Sequence, residues 1–306
     1  MMQDPGKTTE AILITGPTAS GKSALALAFA RLHDGVVINA DSMQVYDTLR
    51  VVTARPDEGD MDGIPHRLYG HIPAGCPYST GDWLREIAGL LDDLKAQGRM
   101  PVVVGGTGLY FKALTGGLSD MPVIPEDVRA GLRARLLAEG PEALHGELAS
   151  RDPAASESLN AKDGQRIVRA LEVLSVTGQS IEHFRRQSGP MLVDPARAKK
   201  LVVLPERKLL HARIDGRFAQ MMDEGAVEEV EALLSLKLSP QAPVMKAIGV
   251  SQISALLSGE MSRDQVVETA SAATRQYAKR QMTWFRNQMD ESWERIDPVS
   301  YRVDPG

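Results

Sequence analysis

The sequence predicts an α/β fold: a parallel-sheet core interrupted by an all-helical insertion and completed by C-terminal helices. Short β-branched runs alternate with helical patterns through the first hundred residues, residues from Pro125 to about Arg186 read as helix alone, and an apolar run returns at Leu201. Strands separated by helices of this length build βαβ units, and those units imply parallel strands.

The first strand is Ala11 to Ile14, and after a glycine-rich turn Ser23 to Leu32 forms an amphipathic helix. Val36 to Ile38 is the second strand, Thr80 to Gln97 a helix, and Val102 to Val104 the next strand. Val128, Leu132 and Leu136, then Ile167, Leu171 and Leu174, recur at helical spacing. Ser188 to Pro195, with one glycine and two prolines, reads as a linker, and Leu201 to Leu204 as a strand returning to the sheet. The expected domains are residues 1–122 (first part of the core), 123–195 (the insertion) and 196–306 (core completion and C-terminal helices), with no internal repeat.

The 306 residues are 43% hydrophobic and 25% charged, which excludes collagen-like and disordered classes. No apolar run approaches the ~18 residues of a membrane span. Residues 1–9 lack a signal pattern, so the expectation is a cytoplasmic protein without a membrane partner. The single cysteine, Cys76, excludes a disulfide within the chain. Six scattered histidines with no Cys/His cluster argue against zinc and leave oxygen ligands for any metal.

A net charge of −5 speaks on its face against a polyanionic partner. The charge is unevenly placed. Residues 1–160 hold 14 Lys+Arg against 21 Asp+Glu, whereas Lys162 to Arg217 holds 12 basic and 6 acidic residues. Between Thr269 and Met289 stand Arg275, Lys279, Arg280 and Arg286 with no acid. Each basic zone is either a solvated helix face or a surface for an anionic partner.

Gly16-Pro17-Thr18-Ala19-Ser20-Gly21-Lys22-Ser23 fits the G-x-x-x-x-G-K-[ST] phosphate loop, with a strand leading in and a helix leading out. Such a loop points backbone N–H groups at a phosphate, Lys22 reaches the terminal phosphate, and the Ser23 hydroxyl can ligate Mg²⁺. The core is therefore P-loop NTPase-like. A phosphoryl-transfer enzyme of this class usually ends a later strand with a metal-holding Asp. Here that strand runs into Gly105-Gly106-Thr107-Gly108, which also lacks dinucleotide-fingerprint spacing. The second strand instead delivers Asp41 and Ser42 at its carboxyl end, where ligands bind in open α/β sheets. Asp41 is either a general base or a helix N-cap.

These residues resemble the tRNA dimethylallyltransferase (tRNA isopentenyltransferase) family. The resemblance runs from about residue 11 to 288 through GPTASGKS, DSMQVY at Asp41–Tyr46, TARP at Thr53–Pro56, Pro65-His66, GGTGLYFKAL at Gly105–Leu114, QRIVRALEV at Gln165–Val173 and TRQYAKRQMTWFR at Thr274–Arg286. It implies that N6 of an adenosine beside the anticodon attacks C1 of dimethylallyl diphosphate and expels pyrophosphate. The loop then holds a leaving group with Mg²⁺, Lys22 neutralises its charge, Asp41 takes the N6 proton, and Thr107 lies near the target base. Arg213 and Arg217, one helical turn apart, are assigned to the diphosphate or are solvated helix arginines. The resemblance assigns tRNA contact to Asp41, Ser42, Met43, Gln44, Thr107, Arg129, Gln165, Arg166, Ile167, Val168, Arg169, Lys279, Arg280 and Arg286. Trp284 and Phe285 are either a stacking platform or core. The insertion is expected to grip the anticodon stem-loop with the adenosine extruded, and the enzyme to act as a monomer without an obligate protein partner.

Two departures stand out. Asp47 to Pro56 reads DTLRVVTARP where the family often has RGMDIGTAKP, losing two glycines, and Val250 follows Gly249 where an aromatic is usual. The rival readings are an ATP-dependent small-molecule kinase, a transferase acting on free adenine nucleotide, and a nucleotide-regulated tRNA-binding protein without catalysis.

Overall fold

The structure, a computed structural model, describes residues 9–187 and 189–303. Residues 1–8, where the sequence shows no signal pattern, and Ser188 at the head of the expected linker lie outside them. The chain forms two compact units, Met1–Thr115 with Leu192–Gly306, and Gly116–Met191.

The first unit is built on a six-stranded parallel sheet: β1 (Ala11–Thr15), β2 (Val36–Asn39), β3 (His66–Arg67), β4 (Pro101–Gly105), β5 (Ala198–Val203) and β6 (Glu294–Ile296), in the order β3-β2-β4-β1-β5-β6. In its first half the crossovers hold α1 (Lys22–Leu32), α2 (Glu58–Met61), α3 (Thr80–Ala96) and α4 (Gly108–Gly116). Both faces of the central strands are covered, which explains why they read as unbroken apolar runs. Ile12, Ile14, Val37, Val102 and Val104 pack on one face against Ala26, Phe29 and Ala30 of α1. Leu13, Ile38 and Val103 pack on the other against Trp83, Ile87, Phe111 and Phe285. All carboxyl ends therefore open on one edge, and the loops that follow β1, β2 and β4 are neighbours there.

The second unit is α5 (Glu126–Glu139), α6 (Pro141–Arg151), α7 (Pro153–Glu157), α8 (Gly164–Thr177) and α9 (Ile181–Arg185), with no strand among its described residues. Its core joins Leu132, Leu144, Leu148, Ile167, Leu171 and Ile181. α7, α8 and α9 are started by side-chain caps at Asp152, Asp163 and Ser180.

The first unit resumes with α10 (Arg207–Asp223), α11 (Ala226–Ser235), α12 (Val250–Leu257) and α13 (Arg263–Gln288). A further core packs Phe218, Met222, Val230, Leu233 and Ile253 of these helices against Val45, Tyr46, Leu49 and Val52.

The boundaries correct the sequence reading. The helical unit spans Gly116–Met191 rather than 123–195, because the N–H groups of Leu192 and Val193 both donate to Leu114 O at 3.1 Å and so already belong to the first unit. The returning strand begins at Ala198 rather than Leu201: Ala198, Lys199 and Lys200 pair with Ala11, Ile12 and Leu13 although lysines obscure the pattern. The edge strands β3 and β6, two and three residues long, were not anticipated from the sequence, being too short to show a period.

Candidate active site

The phosphate loop bridges β1 and α1. Gly16 has φ +154°, and a Cβ there would sit 2.5 Å from Val203 O, so the loop can run this close to the end of β5 only with glycine. Ala19 and Gly21 also have positive φ, 61° and 94°. No acidic residue stands in the first turn of α1, which leaves that helix N-terminus open to an anion. Lys22 Nζ donates to Pro17 O at 2.9 Å. Burial of the ammonium pulls its pKa down to about 8; the charge of Asp41 opposes that, and Arg217 adds to it. Ser20 Oγ is buried with no hydrogen-bond partner among the described residues, and Ser23 is exposed at the start of α1.

Asp41 follows β2 on a braced turn. Its N–H donates to Asn39 Oδ1 at 2.8 Å, Asn39 Nδ2 donates to Asp41 O at 3.0 Å, and Trp83 Nε1 donates to Asn39 O at 2.8 Å. Asp41 Oδ1 accepts the Met43 N–H at 2.9 Å, and a Cβ on Gly106 would lie 3.4 Å from Oδ2. Asp41 thus makes a local turn bond without being a helix N-cap, since no helix begins after it until Glu58. Thr107, at the end of β4, accepts the Ser42 N–H at 2.9 Å and donates to Ser42 Oγ at 3.3 Å, so the loops after β2 and β4 are stitched together.

Gln281 of α13, which motif reading left unassigned, binds the third loop into this set. Its Oε1 accepts the Thr18 N–H and its Nε2 donates to Gly106 O, both at 2.9 Å, and it is buried. One amide therefore spans the phosphate loop and the glycine-rich loop.

These elements enclose a cavity of about 360 Å³. Thr18, Asp41, Ser42, Arg217, Lys246, Tyr277 and Arg280 give it polar surface, and Ala19, Met43, Val52, Ile214, Phe218, Met221 and Ile248 give it an apolar wall. Burial lowers the pKa of the Arg217 guanidinium against the opposing pull of Asp41 and Asp60, while burial raises that of the Tyr277 hydroxyl and Asp41 adds to the rise. Tyr277 therefore stays a neutral donor. Arg213 is exposed and its Nη1 donates to Ser20 O at 3.3 Å, behind the phosphate loop. Gln44 turns inward: Nε2 donates to Thr53 O and Ala54 O at 2.9 Å.

A second groove, of about 660 Å³, runs along α13 past Gln276, Lys279, Arg280, Thr283, Trp284, Asn287 and Gln288, and meets the cavity at Arg280. Lys279 and Arg286 are exposed, and Arg280 lies over the Tyr277 ring at 5.7 Å. Phe285 is core, whereas Trp284 lies across Gly108 and also lines the groove.

In the helical unit, Gln165 and Arg166 are exposed on α8. Glu172 is 4% exposed and pairs with Arg169 at 3.0 Å and Arg129 at 3.9 Å, which places both arginines side by side. Ile167 and Val168 point into this unit's core, where their side chains pack. Gln281 and Tyr277 escaped motif reading because their roles depend on which face of α13 turns inward; the helical spacing of Thr274, Tyr277 and Gln281 is the signal that marks it.

Among the described residues no group of three His, Cys, Asp or Glu could hold a metal, and no helix is long and apolar enough to cross a membrane.

A family model described as IPP transferase matches residues 44–288, and one described as isopentenyl transferase matches residues 9–71. The chain is 70% identical over 302 residues to a tRNA dimethylallyltransferase of Allorhizobium ampelinum, covering 99% of each chain. It is 67% identical over 298 residues to that of Agrobacterium fabrum, covering 97% of this chain and all of the relative. Among solved structures, it matches the tRNA isopentenylpyrophosphate transferase of Bacillus halodurans with TM-score 0.67 and 32% identity, covering 95% of this chain and 90% of that one. It matches a eukaryotic dimethylallyltransferase acting on tRNA with TM-score 0.80 and 25% identity, covering 96% and 75%.

Proposed function

The chain belongs to the IPP transferase family, and from that premise we propose that it transfers the dimethylallyl group of dimethylallyl diphosphate to N6 of the adenosine at tRNA position 37, beside the anticodon. The observation that supports this reading best is a single cavity lined by the phosphate loop, by one carboxylate, Asp41, and by an apolar wall. A phosphate loop suits a diphosphate, the apolar wall suits a five-carbon chain, and the carboxylate suits an amine that must lose a proton.

In the reaction the N6 lone pair forms a bond to C1 of the donor as the C1–O bond breaks. Diphosphate leaves with that electron pair, and the N6 proton passes to Asp41. An exocyclic amine is a poor nucleophile because its lone pair is delocalised into the ring, so an adjacent carboxylate acts where positive charge grows on N6. Lys22, the amides of Gly21 to Ser23 at the head of α1 and Arg217 face the charge that grows on the diphosphate, with Arg213 bracing the loop through Ser20 O. Thr107 and Ser42 hold the Asp41 turn in register, and Tyr277 offers a neutral hydroxyl.

The residues present fit a divalent cation carried by the diphosphate, since the chain offers the Ser23 hydroxyl and no carboxylate cage among its described residues. Bound there, Mg²⁺ would neutralise charge on the leaving group.

For tRNA, the basic groove on α13 leads to the cavity at Arg280, and Arg129, Gln165, Arg166 and Arg169 form a second polar face on the helical unit. Both suit backbone phosphates of a stem-loop, with the target base extruded into the cavity. Replacing Asp41 by Ala is expected to lower kcat about 10²- to 10⁴-fold while tRNA binding persists. Single-turnover transfer and a tRNA binding titration measure the two effects, and a fully active variant rules Asp41 out as the base.

A further inference from the structure

Val52, Thr53 and Ala54 form part of the cavity wall, and this segment falls where the sequence departs from the family pattern by two glycines. The carboxylate of Glu229, in α11, accepts three consecutive backbone N–H groups: Arg50 at 2.6 Å and Val51 at 2.9 Å on Oε1, and Val52 at 2.9 Å on Oε2. From the other side Gln44 Nε2 donates to the carbonyls of Thr53 and Ala54. Five consecutive residues are thus held by two side chains. Charge-assisted bonds to a carboxylate are stronger than neutral ones, so Glu229 is the firmer of the two holds.

This grip fixes the position of Val52. A Cβ built on Gly249 would lie 3.1 Å from Val52 Cγ1 and 3.2 Å from Phe218 Cε2, so Val52 and Phe218 meet over Gly249 with no room behind them. Gly249 has φ +107°, a conformation that keeps this position to glycine and leaves the two side chains as the wall. Both side chains also face the cavity.

We propose that Glu229 is a positioning residue for donor selection, acting through Val52, which it fixes as the wall that limits the length of the prenyl chain. The inference rests on the assignment of this cavity to a prenyl diphosphate. A methyl group or two in an apolar pocket discriminates about tenfold or more between substrates differing by that volume, which is the scale on which Val52 acts. Replacing Glu229 by Gln removes the charge and one of the acceptors. The segment from Arg50 to Val52 then loses its fixed register, and the wall yields.

The test pits dimethylallyl diphosphate against a homologue one methylene longer, 3-methylpent-2-enyl diphosphate, in one reaction with tRNA, and reads the five- and six-carbon adducts by nucleoside mass. Wild type, Glu229→Gln, Val52→Ala and the double variant are compared, with KM for tRNA measured for each. The six-to-five-carbon ratio of kcat/KM is expected to rise about tenfold in each single variant. KM for tRNA should stay within about twofold. The double variant should show less than the product of the two effects, because one residue acts through the other. Unchanged ratios in both single variants overturn the proposal, as does a rise in KM for tRNA with the donor ratio unchanged, which would place this wall on the acceptor. Should Glu229→Gln fail to fold, Glu229→Asp, which keeps the carboxylate but withdraws it by one methylene, takes its place in the same comparison. Wild type that transfers nothing to tRNA overturns the reaction assignment itself, whereas normal wild-type transfer with unmoved ratios overturns only the role of Glu229 and Val52.

Discussion

At Lys22 two demands oppose each other. The phosphate loop needs a cation beside its ligand, and enclosure of that cation lowers its pKa to about 8. kcat/KM for dimethylallyl diphosphate reports the free enzyme, so it should fall as pH rises through about 8, by about tenfold per further unit. The kcat profile should fall later, because a bound diphosphate favours the ammonium. A kcat/KM flat to about pH 9.5 contradicts the role of Lys22. Stability moves the other way: the ordinary lysine value of 10.5 lies above the folded value of about 8, so the unfolded chain holds the proton more tightly between them. The folding penalty is full below about 8 and fades as pH rises toward 10.5. Lys22 and the loop glycines were legible in the sequence because a loop motif encodes backbone path and chemistry within eight residues, and Asp41 because it closes a short apolar strand. Gln281 and Glu229 were not, since each acts on a loop distant in sequence, and only folding reveals which amides they meet.

Among the elements, α13 has two working faces. Its inward face sends Gln281 between the phosphate loop and the glycine-rich loop, and its outward face forms the basic groove. Replacing Gln281 by Met keeps the length and removes both bonds, leaving the part-buried Thr18 N–H and the buried Gly106 O without these partners. Each such orphan costs on the order of 1–3 kcal/mol. The expected outcome is a lower melting temperature together with a higher KM for dimethylallyl diphosphate; a variant as stable and as tight-binding as wild type removes Gln281 from the account. The strands β1, β2 and β4 could be read because a sheet buried on both faces leaves unbroken apolar runs. β5 was legible only in its apolar half, since its ladder with β1 begins at Ala198 and tolerates Lys199 and Lys200 at its start. The basic stretch Gln165–Arg169 looked uniform in sequence, yet helix geometry divides it: Gln165, Arg166 and Arg169 face out or to the side, while Ile167 and Val168 fill the core.

For the whole molecule, the net charge of −5 averages over an acidic first half and basic segments on α8, α10 and α13. Position, not the mean, matters for an anionic partner: on α13 Lys279 and Arg280 line a groove that reaches the cavity at Arg280. A kinase acting on a small molecule would have no use for that groove, and a transferase acting on free nucleotide would need only the cavity. The measurement that separates these readings supplies the protein with labelled dimethylallyl diphosphate and, in parallel, tRNA, AMP, or no acceptor. Label should enter tRNA alone, at the adenosine beside the anticodon, with release of one diphosphate per group transferred. Label in AMP, with tRNA left unmodified, would contradict the central claim.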